Sequence, residues 1–122
     1  MDEAKIQSYK DLIVWQKSMQ LVVAIYKLTE QLPKSELYGL ASQMRRAGVS
    51  IPSNIAEGKM RGTRKDYRHF LLNALGSGAE LETQVEISKR LSFGQPSDYR
   101  EADRLLEEVM KMLNVLIKKL DT

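Results

Sequence analysis

Apolar positions recur along this chain at steps of three and four and never in sustained alternation, so the pattern predicts helices and no strands. Over residues 11–32 two stripes adjoin. Leu12, Trp15, Met19, Val22 and Tyr26 form one, and Val14, Leu21, Ile25, Leu28 and Leu32 form the other. Together they make the wide apolar face that a bundle helix buries, and Pro33 ends it. Over 36–57, Leu37, Leu40, Met44, Ala47, Ile51 and Ile55 keep the helical step, with Gly58 as the expected C-terminal cap. Pro52 lies inside this run and removes one backbone bond, which predicts a bend or a new turn near Val49 and Ser50. The third segment opens at Thr63, whose spacing to Asp66 resembles a capping box. Tyr67, Leu71, Ala74, Gly78, Leu81, Val85 and Ser88 then follow a four-three rhythm suited to nearly parallel helix packing. The fourth follows Phe93-Gly94-Gln95-Pro96, with Ser97 as expected N-cap and Asp98 and Glu101 near the positive end of the helix dipole. Its stripe is Tyr99, Ala102, Leu106, Val109, Leu113, Leu116 and Leu120, and Lys118 and Lys119 complement its C-terminal end.

Each segment is long enough for a helix of roughly 30–43 Å at 1.5 Å per residue. The links between them are short, which favours antiparallel neighbours. The expected fold is therefore all-α: one domain over residues 1–122, an antiparallel up-down-up-down four-helix bundle. Gly76-Ser77-Gly78 interrupts a good helix former. A phosphate loop would need a preceding strand, and none is predicted, so these small residues mark a close helix approach instead. Ala47 and Gly48 are the expected partners.

Composition narrows the function classes. A chain of 122 residues buries about two-thirds of its unfolded surface without a disulfide or metal. It has no cysteine, so disulfides and thiolate metal sites are excluded. Residues 1–5 are polar, with no apolar segment of a signal peptide. The longest apolar stretch, 21–26, is far short of the roughly 20 residues that cross a bilayer. No membrane association and a cytoplasmic location are expected.

The search for chemistry finds little. A di-iron bundle needs Glu-x-x-His on two helices plus two further carboxylates. His69 is the sole histidine, three residues after Asp66, and no second copy follows. Glu82 and Glu86 share a helix face of the kind that is solvated. No serine or threonine is placed by sequence logic beside His69 and an orienting group. The expectation is a non-enzymatic protein with no cofactor and no metal.

Charge is distributed unevenly. Between residues 59 and 69, Lys59, Arg61, Arg64, Lys65 and Arg68 stand against one acid, Asp66, while the whole chain carries only +3. The basic character of the protein therefore lives in this link. Gly62 and Thr63 add free amides at a helix start, where anions bind. These five side chains, with Arg45 and Arg46 on the second helix, are the candidate nucleic-acid contacts, suited to phosphate oxygens. Gln43, Arg46, Asn54 and Glu80, with Gln84 nearby, lie near predicted packing faces. They read as a structural polar network, interhelical or intersubunit, in which Arg46 pairs with Glu80; a ligand pocket is the alternative. Tyr67 and Tyr99 are expected in the core, which leaves no stacking platform for single strands.

Tyr9-Lys10-Asp11-Leu12-Ile13-Val14-Trp15 resembles the opening of the bacterial 23S rRNA-intervening sequence proteins. Leu37-Tyr38-Gly39-Leu40, then Gln43-Met44-Arg45-Arg46-Ala47 and Ser50-Ile51-Pro52-Ser53-Asn54-Ile55-Ala56-Glu57-Gly58, look like that family's central signature. Phe70-Leu71, Ala74, Gly76-Ser77 and Glu80-Leu81 are similar to its third helix. The resemblance covers nearly the whole chain; Gly78 and the 59–65 link depart from the family pattern. It implies a four-helix bundle encoded in an intervening sequence of a large-subunit ribosomal RNA gene or elsewhere in a bacterial genome. It also implies kinship with accessory proteins of diversity-generating retroelements, which form homopentamers and bind nucleic acid and a reverse transcriptase. The expected function is thus an oligomeric bundle, most simply a homopentamer, that binds RNA or DNA backbone through its basic patch. The alternative is a protein–protein scaffold or accessory subunit, for instance of a reverse transcriptase, with no nucleic-acid contact. A small-ligand or metal bundle is the third reading.

Overall fold

The fold follows from where four helices start and stop, seen in a computed structural model that describes residues 8–121. Residues 1–5, read above as a polar start, and both ends of the expected 1–122 domain lie outside the described residues. A short 3-10 turn, Tyr9–Asp11, comes first. Ser8 caps it: its hydroxyl accepts from the Lys10 amide, and its own amide donates to Asp11. Leu12 is extended, with ψ at 126°, so α1 is Ile13–Thr29 and not the full 11–32 run. Thr29 closes α1 ahead of Pro33. Its hydroxyl bonds back to the carbonyls of Ile25 and Tyr26, and the next amides tighten onto Leu28 and Thr29.

Helix α2 is Leu40–Met60, four residues later at its start than the periodicity predicts. The cause is local. Lys34–Glu36 is a 3-10 turn, and the Glu36 carboxylate accepts the Leu40 amide at 3.1 Å, so Glu36 caps the helix from outside it. Leu37 and Tyr38, expected inside the helix, are exposed in the link. Pro52 is buried and α2 stays helical through it; no new helix starts at Val49 or Ser50. The side chains of Ser53 and Asn54 add bonds to the carbonyls of Val49 and Ser50 across the same turn.

Gly58 does not cap α2. The helix runs two residues further, and the turn is made at Gly62, whose φ of +87° suits glycine alone among common residues. Helix α3, Arg64–Arg90, starts at Thr63, whose hydroxyl accepts the Asp66 amide as expected. After Ser92 and Gly94, both at positive φ, a 3-10 turn at Pro96–Tyr99 leads into α4, Arg100–Leu120. Ser97 does not cap α4, whose N-cap is Tyr99 without a side-chain bond; the turn before it is entered at Gln95, whose amide donates to the Asp98 carboxylate while its carbonyl accepts the Asp98 amide. Among the described residues there are four α-helices and no strand. None of these helices is long and apolar enough to cross a membrane.

Side-chain contacts tie the helices together. Ile25 packs on Gly48, and Arg45 reaches Thr29, joining α1 to α2. The hydroxyls of Ser50 and Ser77 bond at 2.8 Å, and Gly58 lies against Tyr67 and Phe70, joining α2 to α3. Arg64 bonds to Lys119, Gly78 faces Met110, and Lys89 pairs with Asp103, joining α3 to α4. Lys17 and Glu108 join α1 to α4. The Gly76-Ser77-Gly78 segment is therefore a close-approach site, but with different partners from Ala47 and Gly48. Ser77 meets Ser50, Gly78 meets α4, and Gly76 faces open space.

Leu21, Ile25, Met44, Ile51, Leu81 and Leu113 are fully buried. Each such side chain contributes about 1.5–3 kcal/mol on burial, against about 0–1 kcal/mol for an exposed ion pair, so the apolar core decides the stability. The stripe of Val14, Leu21, Ile25 and Leu28 on α1, with Leu32 just after it, enters this core. The adjoining stripe is split: Leu12 and Trp15 pack against the core, while Met19 is 41% exposed and Tyr26 43%, with Val23 beside them at 55%.

Candidate nucleic-acid interface

The basic link is positioned by two glycines. At Gly58 an added Cβ would stand 2.6 Å from the Cβ of Phe70 and 3.3 Å from the Tyr67 carbonyl oxygen. Only glycine lets the end of α2 lie this close to the first two turns of α3. Gly62 then reverses the chain within a few residues. The five basic side chains consequently emerge close together, around the start of α3.

Each has a defined setting. The Lys59 ammonium lies 5.4 Å from the centre of the Tyr67 ring, and the Arg61 guanidinium 4.9 Å from that of Phe70. Arg61 also pairs with Glu57 at 2.9 Å. Arg64 donates to the carbonyl of Lys119 at 2.9 Å, covering one of the carbonyls that a helix end leaves open. Arg68 pairs with Asp121 at 3.4 Å, while its Nε is enclosed without a hydrogen-bond partner. Lys65 is exposed and makes no ion pair among the described residues. The acids Glu57, Asp66 and Asp121 sit within this cluster.

The C-terminal turn of α4 adds Lys118 and Lys119, both exposed, to the same end of the molecule. Sequence reasoning missed them as part of the site because it read them only as a complement to the helix dipole. The signal that could have found them was topological: short links place the end of α4 beside the start of α3.

Arg45 and Arg46 are not part of this surface. Both lie on α2 at least 13 residues before Lys59, roughly 20 Å along the helix. Arg45 is half-buried against α1: its Nε donates to the Thr29 hydroxyl at 2.8 Å, and its guanidinium stacks 4.7 Å from the Tyr26 ring centre. Arg46 is exposed and lines a shallow depression of about 290 Å³ with Gln43, Ala47, Ser50 and Glu80. Three members of the expected polar network thus share one depression. Arg46 and Glu80 form no ion pair within the chain among the described residues; both are exposed, where water competes for each charge. Asn54 does not line the depression but donates to the carbonyl and hydroxyl of Ser50, which does and which bonds in turn to Ser77. Gln84 is buried, with its Oε1 unpartnered.

The core tyrosines differ. Tyr99 is buried, and its hydroxyl donates to the Phe93 carbonyl and meets the Ser88 hydroxyl. Tyr67 is half-buried, yet its hydroxyl is enclosed with no partner, and burial raises its phenol above the ordinary value of 10.0. A phenol that ionises later in the folded chain favours the fold below its unfolded pKa. That contribution is lost as pH rises through the ordinary value toward the raised one. Tyr67→Phe is therefore expected to weaken the loss of stability above about pH 10. At neutral pH it is expected to be neutral or stabilising by up to about 1 kcal/mol, because it removes an unpaired buried hydroxyl. Urea titrations of both proteins at neutral and alkaline pH measure this.

His69 is exposed and packs edge-on to Phe70, 5.4 Å between ring centres. Among the described residues no three histidine or acidic side chains converge as metal ligands would.

Against known proteins, the family profile described as 23S rRNA-intervening sequence protein matches residues 10–115. Among solved structures, the chain is similar to a crystal structure at 1.70 Å of a protein of unknown function from the S23 ribosomal protein family of Bacteroides thetaiotaomicron. The two superpose with a TM-score of 0.79 at 28% identity, over 87% of this chain and 99% of that one. No curated protein matches the chain.

Proposed function

Because this chain belongs to the 23S rRNA-intervening sequence protein family, we propose that it is a non-enzymatic, cytoplasmic bundle protein that binds the phosphate backbone of nucleic acid. The observation that carries this reading is the gathering of Lys59, Arg61, Arg64, Lys65 and Arg68 with Lys118 and Lys119 at one end of the molecule. Cations on a fixed helical frame contact phosphates without reading bases, so the binding is sequence-independent and strongly dependent on salt. A family of this description, associated with ribosomal RNA, fits an RNA or DNA backbone as ligand.

We further infer an antiparallel up-down-up-down bundle assembled as a homopentamer. The side-chain pairs that join successive helices favour that direction, and the half-exposed stripe of Met19, Val23 and Tyr26 is more apolar flank than one chain covers. Light scattering on the purified protein is expected to give a multiple of the 14.0 kDa protomer; a clean monomer at micromolar concentration defeats the assembly. A ring that brings the basic ends to one face would touch roughly four to eight phosphates, with a log–log salt slope of about −4 to −7. Fluorescence anisotropy of a labelled duplex and a labelled RNA hairpin across a salt series tests the function. Absence of binding at low salt would turn the assignment to the second reading, a protein-only scaffold that uses the same apolar flank.

A further inference from the structure

The basic end is held by the end of α4. Arg64 binds the Lys119 carbonyl, and Arg68 binds the Asp121 carboxylate just past the last turn. The second contact is loose. At 3.4 Å it is longer than the roughly 2.7–2.9 Å of a charge-assisted hydrogen bond. One terminal nitrogen of Arg68 makes it, while Nε has no partner, so the guanidinium is incompletely satisfied. Asp121 is 65% exposed and Arg68 34%, so both are reachable from solvent. Lys65, on the same face one turn before Arg68, makes no ion pair among the described residues.

We propose that the Asp121 carboxylate stands in a phosphate position on Arg68 and acts as a built-in competitor of the polyanion. This rests on the reading of the basic end as a nucleic-acid surface and adds its regulation. A single carboxylate, exposed and off the fork geometry that suits guanidinium, is a weak occupant. A phosphate backbone presents several anionic oxygens to Arg68, Lys65 and Lys119 together and displaces it. The contact thus lowers affinity most at low salt, where screening is least, and weighs more against sparse anions than against a dense polyanion. It biases binding toward ligands of high charge density.

The test is the anisotropy salt series on the full chain with the labelled duplex. Asp121→Asn is expected to raise affinity by about two- to fivefold at low salt, the range of one exposed ion pair. Removing any acid makes the protein more basic, so Glu107→Gln is the matched control. Glu107 lies on α4 roughly 21 Å from Asp121, and among the described residues its ion pair is with Lys111. The decisive variant is Arg68→Gln: in its background Asp121→Asn is expected to give no more gain than Glu107→Gln gives in the parent. Equal gains from Asp121→Asn with and without Arg68, or from Asp121→Asn and Glu107→Gln in the parent, would overturn the competitor role while leaving nucleic-acid binding intact. No binding by the parent or by any variant overturns both readings. A fall in melting temperature for Asp121→Asn with no gain in affinity assigns the pair a purely structural part, which also overturns the proposal.

Discussion

Replacing Arg61, Arg64, Lys65 and Arg68 together with Gln is expected to lower duplex affinity by about a hundredfold or more at low salt and to flatten the salt slope by about one unit for each phosphate that is no longer neutralised. Counterion release sets this magnitude. Each phosphate neutralised frees condensed cations, so the effects of several removed cations multiply. The fold should survive, because none of the four enters the apolar core. Their partners include Glu57 in an exposed pair, the ring of Phe70 in a stack, the Lys119 carbonyl and the Asp121 carboxylate. Exposed pairs of this kind are worth about 0–1 kcal/mol each. Arg45→Gln supplies the contrast. It should leave the slope alone and lower stability by about 1–2 kcal/mol, because it removes both the Thr29 bond and the stack on Tyr26. Circular dichroism and urea titration beside the anisotropy series separate these outcomes. A quadruple variant that binds with the parental slope would remove the basic link from the ligand surface.

Gly58→Ala is expected to cost about 1–3 kcal/mol, as overpacking of a rigid contact does. The new methyl meets the Cβ of Phe70 at 2.6 Å and the Tyr67 carbonyl oxygen at 3.3 Å. Neither is the end of a flexible side chain, so α2 and α3 must separate, and the basic residues that flank the contact move with them. Gly76→Ala is expected to do the reverse. Its methyl meets nothing within 4 Å, and the exchange removes about 0.5–1 kcal/mol of helix penalty. Gly78→Ala lies between the two, since its collision is with the sulfur of Met110, a side chain able to swing aside. Thermal melts of the three variants give the order. Equal stability of Gly58→Ala and Gly76→Ala would mean that the close approach at Gly58 is absent in solution.

Periodicity was legible wherever burial alone decides structure. Leu71, Ala74, Gly78, Leu81, Val85 and Ser88 are buried as the four-three rhythm requires, and Ala102, Leu106, Val109 and Leu113 likewise on α4. Helix ends were less legible. Glu36 caps from four residues outside α2 through its side chain, a role that periodicity does not display. Gly58 and Gly62 are equally plausible caps in sequence, and only the approach of Phe70 separates a packing glycine from a turning one. The partners of Ser77 and Gly78 were misassigned for a related reason. Adjacent residues on a helix point about 100° apart, so neighbours in sequence face different helices. At the candidate site, the clustering of charge between residues 59 and 69 was plain. The arrangement of α4 against it was not, because Arg64 with Lys119 and Arg68 with Asp121 are contacts across more than 50 positions of chain.

The length of α3 has a practical consequence. Arg64 sits at one end of it and Lys89, paired with Asp103, at the other, so the turn between α3 and α4 lies about 35–40 Å from the basic surface. The side chain of Ser97 in that turn is exposed, and only its backbone carbonyl takes part in the local bonding. Since the chain has no cysteine, Ser97→Cys creates a sole thiol for a fluorophore, remote from any phosphate contact. One dye per protomer then makes photobleaching steps a direct count of subunits. The same dye follows rotational slowing when a nucleic acid docks at the far end.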